Sequence, residues 1–70
     1  MIKYNVLLIW DEETAVWIAE NDDIPIALES DSLDTLIRRV RLAVPELLEL
    51  NGKNKNITLH FEMECKTMVA

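Results

Sequence analysis

The chain is poor in the residues that usually build reactive sites. It holds one cysteine, one histidine and one glycine among 70 residues. Cys65 therefore has no partner for an internal disulfide, and no Cys/His spacing suits zinc. A single glycine cannot supply the glycine-rich turn that cradles phosphate. Bases are scarce as well: four Lys and three Arg against thirteen acids give a net charge of −6. A nucleic-acid module of this size is ordinarily basic, so binding a polyanion through bulk charge is not expected. No apolar run approaches the roughly 18 residues of a membrane span, and no signal-peptide layout is visible. The expected location is the cytoplasm.

What remains is a globular composition, half hydrophobic and 29% charged, of a length that supports one domain over residues 1–70. A core this small offsets chain entropy narrowly, so good packing or a partner surface has to help.

Hydrophobic periodicity orders the chain. Ile2 to Trp10 is β-branched and aromatic, with every even position apolar and the later odd positions Leu7 and Ile9 apolar too. It reads as a strand buried on both faces in its second half. After the acidic turn Asp11-Glu12-Glu13-Thr14, residues Ala15 to Glu20 form a second strand and close an antiparallel hairpin. A loop centred between Glu13 and Thr14 sets Trp10 opposite Trp17 and Leu8 opposite Ala19, leaving Leu7, Ile9, Val16 and Ile18 on the other face. Asn21 to Pro25 is a turn, and Ile26 to Glu29 a short edge strand. Ser32 caps a helix whose stripe is Leu33, Leu36, Ile37, Val40, Val44, Leu47 and Leu48. Pro45 predicts a kink or break within it, and Asn51-Gly52 its end. Lys53 to Asn56 make a loop. Ile57 to Glu64 alternate cleanly as a fourth strand, with residues 65–70 as its frayed end or a tail.

The order β-β-β-α-β predicts an α+β fold: a mixed sheet with one covering helix. A right-handed crossover places the fourth strand beside the first, in order 3-2-1-4. One helix covers one face. Whichever face that is, the other keeps an apolar patch that a monomer rarely leaves wet. A homodimer or a tight heterologous partner is expected.

Catalytic chemistry finds little footing. His60 lies on the polar side of its strand, Cys65 lacks a nearby basic cluster in sequence, and the acidic turns lack a calcium-loop pattern. The topology is similar to part of the ribonuclease H fold, whose metal site needs an acid on the first strand. Ile2 to Trp10 contains none, and Glu62 and Glu64 have no counterpart there. No catalytic residue, metal or cofactor is expected. Charge is unevenly spread: the first 34 residues hold nine acids and one base, the remainder four acids and six bases. The acids thus gather in the strand meander, where they either serve solubility or steer a basic partner.

Several segments together resemble the HicB-like antitoxin domain. They are a first strand ending in acids, the run Val16-Trp17-Ile18-Ala19, the turn Asp23-Ile24-Pro25, and the helix opening Asp31-Ser32-Leu33-Asp34. Pro45-Glu46-Leu47-Leu48-Glu49-Leu50-Asn51 is similar to a narrower hallmark, that of a short stand-alone branch of unknown function. The resemblance spans residues 3 to about 63. It implies a partial ribonuclease-H-like fold without catalysis, and as partner a small basic HicA-like toxin that cleaves messenger RNA. The candidate interface then comprises Leu7, Ile9, Val16 and Ile18 with Asp23, Ile24 and Pro25. Two departures stand out. The family often carries Gly after the first turn and again after the Pro, where this chain has Ala15 and Ile26. Full antitoxins of this kind also add a C-terminal DNA-binding element, and with the sequence ending at Ala70 no operator binding is expected. The alternative reading is an orphan homodimer that binds another protein or a small molecule.

Overall fold

The computed structural model describes residues 2–48, 57–66 and 69. Within it, β1 is Ile2–Asp11, β2 is Val16–Glu20, β3 is Leu28–Ser30, α1 is Leu33–Leu47 and β4 is Ile57–Glu64. The four strands form one mixed sheet in the order β3-β2-β1-β4. The β1–β2 and β2–β3 pairs are antiparallel, and β4 runs parallel to β1. This is the expected α+β fold and strand order. The hairpin register also agrees, with Trp10 facing Trp17 and Leu8 facing Ala19.

The helix takes the face of the even β1 residues. Val6 and Leu8 are fully buried there with Ala19 of β2 and Leu36, Val40 and Val44 of α1. Burying these aliphatic side chains is the main stabilising term of a domain this small. Trp10 and Trp17 stack at a tilt near one end of the sheet, with ring centroids 5.4 Å apart. Four residues of the expected helical stripe behave otherwise or only partly so. Leu33, Ile37 and Leu48 are half-buried, and Leu47 is 38% exposed.

Local chemistry explains where the elements begin and end. Ser32 has extended backbone angles, and its hydroxyl accepts a hydrogen bond from the Thr35 N–H at 3.3 Å, so it is the helix N-cap as expected. The helix runs through Pro45 and stops at Leu47, short of the expected end. Pro45 has no N–H for the Arg41 carbonyl, which weakens the last turn, and the Leu48 N–H closes it on the Val44 carbonyl at 2.9 Å. Asn51-Gly52 and the loop from Lys53 to Asn56 lie outside the described residues.

Two strand boundaries differ from those expected. The second strand begins at Val16 because Ala15 adopts φ 56°, a left-handed conformation that no strand residue holds. Asp11 builds the turn before it: its carboxylate accepts from the Glu13 N–H at 3.1 Å and the Thr14 hydroxyl at 2.8 Å. The third strand begins at Leu28, not Ile26, because the Ile26 N–H is spent on the Ile24 carbonyl at 2.7 Å across Pro25. The fixed φ of proline suits that tight three-residue turn.

Ala15 stands where the resembling family often has glycine. A non-glycine residue in this region costs about 1–2 kcal/mol, while glycine costs about 0.5–1 kcal/mol more chain entropy. Ala15→Gly is therefore expected to raise stability by about 0.5–1 kcal/mol, read as an upward shift of the urea midpoint at unchanged slope. A downward shift would show that the turn does not need the left-handed residue.

Candidate interaction face

The alternation that sends Val6 and Leu8 under the helix sends Leu7 and Ile9 to the opposite face of the sheet. There Ile9 lies directly across from Ile18, and Val16 and Ile18 follow one another along β2. All four are only half-buried. No described element covers them. The apolar patch expected from the sequence is thus on the face away from the helix.

Register places a carboxylate beside each member of the patch. Val16 pairs with Asp11, and Ile18 with Glu29. Leu7 lies between Glu20 on β2 and Glu62 on β4, and Ile9 is flanked by Glu64. The result is a central apolar stripe with acids on both sides. Of these acids, Glu62 has His60 Nε2 at 3.4 Å from its Oε1, and Glu64 has Lys66 Nζ at 3.5 Å. Both pairs are well exposed, so they are weak and screened by salt. They leave the face acidic in sum.

One end of the stripe is indented. Asn5, Leu7, Glu20, Asn21, Asp22 and Glu62 line a shallow cleft there. The Asn21 side chain holds its rim in place by donating to the Asn5 carbonyl and accepting from the N–H groups of Asp23 and Ile24 at 2.7 Å each. Three carboxylates around an apolar floor suit the long aliphatic stem and charged head of Lys or Arg.

The candidate residues separate into two groups. Leu7, Ile9, Val16 and Ile18 share one face, while Asp23 and Pro25 are exposed in the loop between β2 and β3. Ile24 is only 1% exposed and belongs to the core. Its side chain anchors the turn and is not offered to a partner. Glu20, Glu29, Glu62 and Glu64 were not among the candidates, because which acids flank the patch depends on the pairing across strands. Among the described residues, no three of His, Cys, Asp and Glu come together as a metal site requires. Cys65 is exposed and in no disulfide. No helix among the described residues is long and apolar enough to cross a membrane.

The described residues thus form a small sheet-and-helix domain with one acid-bordered apolar face. The chain belongs to the family described as domain of unknown function DUF1902, whose model matches residues 3–70. It is similar to the hypothetical protein TTHA1013 of the extremely thermophilic bacterium Thermus thermophilus, whose crystal structure aligns with a TM-score of 0.68 at 35% identity over 97% of each chain. A search of curated proteins finds no match.

Proposed function

We propose that this chain is a non-enzymatic protein-interaction domain whose sheet face takes a basic partner, and that it acts as a HicB-like antitoxin on a small basic ribonuclease. The observation that carries the reading is the register on the open face, which sets an acid beside each of Leu7, Ile9, Val16 and Ile18. The apolar centre supplies area to desolvate, and the acids supply the sign of the charge that is attracted. A ribonuclease that binds messenger RNA is basic at its active site, so it matches that sign. Two copies of this face laid against each other would set Glu20, Glu29, Glu62 and Glu64 against acids of the same kind, which disfavours the face as a self-pairing surface. The work of such an antitoxin lies in the cytoplasm, where its partner meets messenger RNA.

The test is co-expression with a small basic HicA-like ribonuclease, taken from the gene's own neighbourhood if a reading frame of that kind lies there. The expected outcome is a complex that co-purifies and a ribonuclease whose cleavage of a model messenger is suppressed at equimolar chain. Because attraction between the faces is electrostatic at long range, association should slow as ionic strength rises from about 0.05 to 0.5 M, where the screening length falls well below 10 Å. A folded chain that neither binds nor suppresses cleavage overturns the antitoxin reading.

A further inference from the structure

The two edges of the sheet are finished differently. The β3 edge is three residues long, and the Arg39 guanidinium occupies the Glu29 carbonyl there at 3.2 Å. The β4 edge is eight residues long, with no proline, glycine or lysine in Ile57–Glu64. Among the described residues, nothing outside β1 hydrogen-bonds its backbone. Long unblocked edges pair readily with another strand, and natural proteins usually blunt them. The helix also leans to the other side of the sheet, packing on β2 and β3. The apolar row of β4 is consequently left half-covered: Leu59 and Phe61 are half-buried and Met63 is 63% exposed.

We infer that the occupant of this edge is the same edge of a second copy, in one particular register. Turning a copy by half a revolution about an axis through Phe61, normal to the sheet, keeps each face of the sheet on its own side. Phe61 then meets the second copy's Phe61, and Leu59 meets the second copy's Met63, so the exposed apolar row is completed by its twin. On the other face His60 meets the second copy's Glu62, twice by symmetry, and Thr58 meets its Glu64. Every cross-strand pair on the described residues is apolar with apolar or of compatible charge.

Registers centred beyond Phe61 fail this condition. An axis through Glu62 sets that carboxylate against itself, and one through Met63 sets Glu62 against Glu64. Like charges directly opposed on a sheet are destabilising. Charge thus excludes those alignments, and among the remaining ones the Phe61 axis pairs the longest run of described strand residues and sets His60 against Glu62. The product is a continuous eight-stranded sheet with both helices on one side and both acidic faces on the other. This pairing leaves the stripe of Leu7, Ile9, Val16 and Ile18 free for a basic partner, while Glu62 and Glu64 of its acidic border lie along the seam.

Directly opposed strand residues have Cα atoms about 4.5–5.5 Å apart, within reach of a disulfide. The test uses full-length chains carrying Cys65→Ser, with either His60→Cys or Glu62→Cys added. Under mild oxidation, a mixture of the two is expected to give the mixed disulfide at least about tenfold above either chain oxidised alone. Light scattering of the unmodified chain is expected to give twice the chain mass. His60→Glu should weaken the dimer about tenfold by opposing two pairs of carboxylates. Adding Glu62→Lys to it should restore the dimer. Near-ultraviolet circular dichroism of Trp10 and Trp17 reports that each variant is folded. A folded monomer at high concentration overturns the inference, and so does a dimer whose His60→Cys chain links to itself or whose mixture does not link. Loss of partner binding with the dimer intact would fail the antitoxin reading alone.

Discussion

Leu8→Ala is expected to destabilise the domain by about 3 kcal/mol. Leu8 is fully buried at the centre of the sheet, beneath α1 and among Val6, Ala19, Leu36 and Val40. Truncation removes the transfer free energy of the lost carbons and leaves a cavity that a sheet pinned on both sides of β1 cannot close. A domain of this length has a total stability of roughly 3–10 kcal/mol, so the loss is a large fraction of the whole. At about 4–8 °C per kcal/mol, the melting midpoint should fall by about 12–24 °C. Calorimetry at fixed protein concentration checks this, since self-association would make the midpoint concentration-dependent. A drop below about 1 kcal/mol would mean that Leu8 does not sit at the centre of the core.

Placing positive charge in the middle of the opposite face should do the converse, sparing the fold and weakening recognition. Ile9 and Ile18 face each other across the β1–β2 pair and are half-buried with nothing over them. The double variant Ile9→Arg with Ile18→Arg keeps the aliphatic stems on the sheet and places two guanidinium groups between Glu29 and Glu64. The new charges are compensated locally, so stability should change by no more than about 1 kcal/mol. For a basic partner the same change removes the apolar centre and reduces the attracting charge. Truncating a central interface residue commonly costs about 2 kcal/mol or more, and the double variant should weaken binding by at least about a hundredfold. Surface plasmon resonance against the ribonuclease, with thermal melts of the same samples, separates the two effects. A variant that melts normally and still binds tightly would remove this face from the interaction.

The contrast between these two substitutions follows from alternation along one strand, and that part of the fold is legible in the residues alone. Period-two patterning in Ile57–Glu64, the Ser32 cap and the hairpin spacing around Glu13 each rest on local chemistry, so the sequence carries them directly. The boundaries that moved depend on single backbone conformations. Ala15 turns left-handed because the Asp11 carboxylate gathers the preceding turn around itself, and an alanine at that position gives no hint of it. Ile26 is lost to the third strand because its N–H bonds across Pro25. Ile24, apolar and beside a proline in an acidic loop, reads as a surface residue until the loop folds it into the core.

The site was half legible for a related reason. Leu7, Ile9, Val16 and Ile18 could be assigned to one face from the hairpin alone. The acids that give the face its chemistry come from β3 and β4 as well, and their positions depend on a parallel pairing between residues far apart in the chain. Glu62 and Glu64 could be seen to point away from the helix, but not to lie beside Leu7 and Ile9. The uneven charge along the sequence pointed to the meander, and the fold carries two further acids to it across the β1–β4 junction.

The most direct test of this account is a calorimetric titration of a small basic HicA-like ribonuclease into the chain at low and at high salt. The account predicts a saturable one-to-one complex with submicromolar affinity at low salt, weakened at least about tenfold at high salt because the acidic borders of the face are screened. Absence of binding by a folded chain, or an affinity indifferent to salt, would contradict it.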